Sequence, residues 1–203
     1  MKGVFIVAFF GIFAHAFAQV TSTIQTCPRQ STMQNLKPSD FFFGAWFVTH
    51  ARSGPQLITC RIYKTSVEKK TTITFDGDGY YGDGDAATYY QVRCKGKESS
   101  GQKGKFSLSC TRQQPSIPGT SPQNSKIEFN LELSVIDTDY AQYAIVQTCS
   151  TYTTLNVIKD NILVLHRSKD ALKPNIEAIF QQKLGSSLST YITRQKGTEC
   201  RVA

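Results

Sequence analysis

Apolar and polar residues alternate with a period of two through much of the chain. From Ile127 onward, Phe129, Leu131, Leu133 and Val135 alternate with Glu128, Asn130, Glu132 and Ser134, as a strand with one wet face requires. Residues 106–110 and 143–148 repeat the pattern, and 161–165 follow it more loosely. Turn chemistry separates these runs: DGDG at 76–79, GDGD at 82–85, ESSGQKG at 98–104 and PSIPGTSPQNS at 115–125. About eight short strands at such spacing predict an antiparallel barrel or sandwich. One helix is expected near the end of the chain. Pro174 would occupy its first position, with Ile176, Ile179, Phe180, Leu184, Ser187 and Leu188 along one face. It should lie outside the sheet, followed by the polar tail TRQKGTEC.

The start of the chain departs from this pattern. Residues 1–18, MKGVFIVAFFGIFAHAFA, carry one lysine, an apolar stretch and a small-residue Ala-Phe-Ala end, the layout of a secretion signal cleaved after Ala18. The apolar part is too short to span a bilayer, which takes about 20 residues. Residues 19–203 are then expected to form a single extracellular domain, with no transmembrane segment. All six cysteines lie beyond the signal, and an even number in a secreted chain reads as disulfides. Their spacing does not choose among the possible pairings, and none has the close paired spacing of a zinc site.

The formal charge of +8 falls to +7 without Lys2, which favours anionic partners such as phosphorylated or carboxylated small molecules, anionic lipids and sulfated sugars. The secreted context disfavours nucleic acid.

Three short motifs punctuate the strands. Gly44-x-Trp46 opens the first, Thr138-Asp139-Tyr140 precedes a late one, and Arg167 ends the last. The longer stretches LKPSDFFFGAWFVTHAR with Cys60 eight residues on, DTDYAQYAIVQTCS and DNILVLHRSKD resemble the triabin group of salivary lipocalins from blood-feeding bugs. That resemblance implies an all-β, eight-stranded antiparallel up-and-down barrel with one C-terminal helix packed outside. In such barrels Trp46 closes the floor and Arg167 packs across its ring, a cation–π contact of roughly 0.5 to 2 kcal/mol. It also implies disulfides Cys27–Cys149, Cys60–Cys200 and Cys94–Cys110. The last pair flanks the ESSGQKG turn as a hairpin pair would.

Alternation then assigns inward faces. If Cys60 points out toward a tail carrying Cys200, then Thr59, Arg61 and Tyr63 point in. From Trp46 the same parity turns Val48 and His50 inward, and from Arg167 it turns Leu163 and Leu165 inward. With Phe129, Leu131 and Leu133 they form an apolar cup with a few polar anchors, the composition of a small-molecule site. Arg61, directed into that cup, calls for an anion. His50 is expected as a hydrogen-bonded wall residue, and His166 should face outward. Haem is disfavoured, because the strand region that supplies its histidine in related salivary lipocalins matches residues 65–95, which contain no histidine.

The sequence DGDGYYGDGD fails as a calcium loop, since Tyr80, Tyr81 and Ala87 stand where ligands, a glycine and a glutamate are needed. It is expected as loops at the open end, with Tyr80 and Tyr81 as lids. Lys95, Lys97, Lys103 and Lys105 make a basic hairpin, with Lys69 and Lys70 elsewhere, read as a solvated turn or an anion-steering patch. No nucleophile elbow, metal-ligand histidine pair or phosphate loop occurs, so neither enzyme activity nor a metal or cofactor is expected. The resemblance points to a monomeric salivary protein that impairs host haemostasis or inflammation. It would do so by sequestering a small anionic mediator, such as an eicosanoid or a nucleotide, in the barrel, inhibiting platelet aggregation. The alternative is an inhibitor of a host coagulation or contact-phase protein acting through the outer loops, such as 115–125.

Overall fold

A computed structural model of the chain describes residues 26–82, 87–114, 126–170, 172–195 and 200. The signal segment, Asp83, Asp85 and the 115–125 loop lie outside the described residues.

A short helix α1 (Pro38–Phe41) leads into β1 (Gly44–Ala51), and six further strands follow: β2 (Ile62–Glu68), β3 (Thr72–Tyr81), β4 (Thr88–Glu98), β5 (Lys105–Gln113), β6 (Ile127–Thr138) and β7 (Tyr143–Tyr152). After β8 (Val157–His166) come the helix α2 (Ile176–Leu184) and a two-residue strand β9 (Ile192–Thr193). Each strand pairs antiparallel with the next from β2 to β8, and β1 closes the ring by pairing with both β8 and β2. The expected eight-stranded barrel is therefore present, with β9 added beside the end of β1.

Period-two alternation produces two cores. Side chains such as Val48, Phe75, Phe106, Leu133, Val146 and Leu165 fill the inside. On the outside, Ile136, Ile145, Ile162 and Val164 are covered by Phe180 and Ile176 of α2. Burial of each such side chain is worth about 1.5 to 3 kcal/mol, which explains why a short helix stays docked. The helix is shorter than its apolar face predicts. Gly185, in the left-handed conformation at φ 68°, ends it, while Leu188 stays on the same face from a 3₁₀ turn. Glu177 anchors that turn by accepting the Leu188 amide at 3.1 Å.

One turn expectation is corrected. DGDG at 76–79 is not a turn but the middle of β3, paired with β2 from Ile62 to Glu68. Asp76 and Asp78 face outward, where Arg93 binds Asp78. Alternation turns Gly77 and Gly79 inward, where larger neighbours occupy the space a side chain would need. A Cβ on Gly77 would come 2.6 Å from Tyr81 Oη and 2.8 Å from the Tyr63 ring. The 98–104 segment does turn, joining β4 to β5. Its lysines are largely engaged: Lys95 with Glu68, Lys103 with Glu98 and Lys105 with Glu132.

All three disulfides join the expected partners, Cys27–Cys149, Cys60–Cys200 and Cys94–Cys110. The first ties the N-terminal strap to β7. The second holds the C-terminal tail against the start of β2, where Arg194 also donates to the Thr59 carbonyl at 2.6 Å. The third links directly opposed residues of β4 and β5, with both sulfurs inside the barrel.

Candidate functional site: a cationic cavity in the upper barrel

The closed end is sealed by a clamp around Trp46. Its indole Nε1 donates to the Phe41 carbonyl at 3.0 Å, and its ring stacks on Phe41. The Arg167 guanidinium lies 3.5 Å from the centre of that ring. From there Arg167 donates to the carbonyls of Tyr140 at 3.0 Å, Ala45 at 3.1 Å and Phe43. One side chain thus ties α1, β1, the 138–140 turn and the end of β8 together. Gly44, at φ 70°, makes the bend that brings β1 into this clamp.

Above the floor the barrel is filled rather than hollow. Val48, Leu133, Leu163 and Leu165 face inward as expected but are fully buried in packed core. The apolar cup is correspondingly shallower than the sequence suggests. The open space is a cavity of about 130 Å³ in the upper half, whose walls include Arg61, Tyr63, Phe75, Tyr81, Arg112 and Tyr152. Phe129 and Leu131 also line it, while Val48 and Leu163 lie below.

Arg61 is only 7% exposed. It does not sit on a strand, since residues 56–60 form a 3₁₀ turn and Thr59, expected to face the lumen, instead bonds back to the Gln56 carbonyl. Arg61 follows in extended geometry and enters the lumen across from Gly79, where a Cβ would come 2.7 Å from its Cα. Its guanidinium donates to Tyr63 Oη at 3.2 Å and to the Tyr80 carbonyl at 2.8 Å, and stacks 3.5 Å above the Tyr81 ring. Burial works against its charge, but Tyr81 and Tyr63 outweigh burial and hold its pKa above the ordinary value. Burial pushes the Tyr81 hydroxyl far up, so it stays protonated and donates to the Gly77 carbonyl at 2.9 Å. Of the two expected lids, Tyr81 covers Arg61 from inside. Tyr80 points outward against Tyr89.

Arg112 is a lining residue that the motifs do not mark. It extends β5 two positions beyond Cys110 on the same inward face, with its guanidinium 4.4 Å from the Tyr90 ring and 5.6 Å from that of Tyr152. Tyr152 itself stacks on Phe129 at 4.8 Å. Both arginines keep a buried Nε without a hydrogen-bond partner. The carboxylate on the cavity wall, Asp160, is bound by Arg52 at 2.6 Å and by the Gln147 amide at 2.7 Å.

His50 is a correction. The register between β1 and β8 shifts between Val48 and His50. Thr49 is therefore an extra residue, a bulge that reverses the parity after it. His50 pairs with Val164 on the outside, and Ala51 takes the inward place opposite Leu163. His166 faces outward as expected but is fully buried rather than solvated. Thr49 Oγ1 shares hydrogen bonds with His166 Nδ1 at 2.7 Å and His50 Nδ1 at 3.1 Å. Burial lowers both histidine pKa values, that of His166 to about 4. No group of three or more potential metal ligands occurs among the described residues.

A closed eight-stranded antiparallel barrel with a sealed floor and one outer helix is the lipocalin fold. An amine binding protein of Rhodnius prolixus in its tryptamine complex has the same fold, with a TM-score of 0.65 and 20% identity over 87% of this chain and 90% of that one. The chain belongs to the triabin family, whose model matches residues 19–179. It is 34% identical to Triafestin-1 of Triatoma infestans over 99% of its own length and 95% of that protein. It is also 29% identical to Platelet inhibitor triplatin-2 of the same species, over 96% and 97% of the two chains.

Proposed function

We propose that the chain is a secreted, non-enzymatic carrier that captures a small anionic mediator of the host in the upper barrel and so impairs haemostasis. The observation that carries this reading is Arg61, a buried guanidinium among neutral tyrosines with an unsatisfied Nε. A buried cation without a counter-ion is costly, and an entering carboxylate or phosphate removes that cost. The ligand of the Rhodnius neighbour, tryptamine, is a poor guide to this lumen. An amine would need a free carboxylate, and Asp160 is already bound. Family membership, the name of the platelet-inhibiting relative and three disulfides support release outside the cell and action on platelets.

The test is platelet aggregation induced separately by a stable thromboxane mimic and by ADP, with wild type and Arg61→Ala. Wild type should block one agonist at stoichiometric dose. Arg61→Ala should weaken capture by about 1.5 to 3 kcal/mol, the loss of a charge-assisted hydrogen bond. Failure against both agonists, with prolonged clotting of platelet-free plasma, would shift function to the outer loops and a coagulation protein.

A further inference from the structure

The lumen carries more positive charge than one carboxylate can neutralise, and the following inference rests on the anion-capture reading and narrows it. Arg61 enters the cavity from the turn before β2 and Arg112 from β5. Among the described residues neither meets a carboxylate. Arg61 bonds a phenol and a peptide carbonyl, and Arg112 lies over the rings of Tyr90 and Tyr152. Both leave Nε buried and unpartnered. A monoanion held by Arg61 would leave the second guanidinium, half-buried and with its Nε cut off from water, without a counter-ion.

The size of the cavity adds an independent constraint. About 130 Å³ is well below the roughly 300 to 1,000 Å³ of pockets that enclose drug-sized ligands. It accepts a headgroup and one ring. Its walls are flat aromatic faces, with Tyr63 stacked on Phe75 at 4.2 Å and Phe129 on Tyr152 at 4.8 Å.

We propose that the group bound in this cavity is a compact dianion on a flat or unsaturated body, such as a phosphomonoester, contacting Arg61 and Arg112 together. Tyr81 and Tyr152, whose hydroxyls burial keeps protonated, then serve as neutral walls that do not compete for the cations.

The test is isothermal titration of the oxidised mature protein at pH 8 with phenyl phosphate and with benzenesulfonate. Their outlines are nearly the same, but the phosphate is doubly charged above its second pKa near 6 and the sulfonate carries one charge. The phosphate should bind at least about tenfold more tightly. Arg112→Gln should remove that margin and leave sulfonate affinity within about twofold, Arg112→Lys should keep it, and Arg61→Gln should weaken both ligands. Thermal melts of each variant separate lost binding from lost folding. Equal affinity for the two anions, or phosphate binding untouched by Arg112→Gln, would overturn the dianion. If neither small anion binds but a monocarboxylate thromboxane mimic does, the dianion fails while anion capture stands. If none of the three binds, both fall.

Discussion

The two buried histidines make a prediction about acid stability. His166 is fully buried, its Nε2 has no partner, and its pKa falls from the ordinary 6.5 to about 4, chiefly through burial and then through the nearby His50. A depressed histidine pKa means that the unfolded chain binds the proton more readily than the folded one. Stability is thus intact above pH 6.5 and falls as pH drops from there toward 4. At pH 5, with a folded pKa of about 4, the unfolded histidine is almost wholly charged and the folded one is about one-tenth charged. The linkage relation then gives a loss of at most about 2 kcal/mol relative to pH 7.5. His50 shifts in the same direction and adds to it. Urea unfolding at pH 7.5 and pH 5.0, for wild type and His166→Gln, measures the effect. Glutamine does not titrate, so the variant should be less stable at pH 7.5 but lose less on acidification. Identical losses for both proteins would refute the reasoning and move the acid sensitivity elsewhere, for example to Asp139, whose pKa falls because two backbone amides and Lys173 outweigh its burial.

Other expectations follow from single contacts. Arg167→Ala removes the cation over Trp46 and the carbonyl bonds around it, and should cost about 2 to 4 kcal/mol in denaturant unfolding. Gly79→Ala puts a Cβ 2.7 Å from Arg61 Cα at φ 150°; it should lower the melting temperature and weaken anion binding together, whereas a change in binding alone would contradict the packing. Replacing both Cys94 and Cys110 with serine, across a separation of 16 residues, should cost about 3 kcal/mol in the chain-entropy description. Thr49→Val removes the hydroxyl shared by the two imidazoles and should destabilise by about 1 to 3 kcal/mol.

Much of the barrel is legible in the sequence because its strands alternate cleanly and its closing residues are distinctive. Trp46 and Arg167 meet as their motifs imply, and the inward faces of β6 and β8 follow from parity. His50 escapes that logic. One extra residue at Thr49 reverses every side chain after it, and nothing in VTHA announces a bulge stabilised by hydrogen bonds to a strand more than 100 residues away. The Asp-Gly repeat in β3 misleads for another reason. Glycine there serves close packing of Tyr63, Tyr81 and Arg61 on the inner face rather than a turn. Arg112 stands between these cases. Alternation through Phe106, Leu108 and Cys110 turns it inward, yet an arginine near the end of a strand reads equally well as a solvated mouth residue.

The most direct measurement is isothermal titration of the oxidised mature protein, and of Arg61→Ala, with a stable thromboxane mimic and with ADP. The predicted result is one-to-one binding of at least one of them at submicromolar strength, weakened at least about tenfold in the variant. Equal binding by wild type and variant, or no binding of either anion, would contradict capture through Arg61.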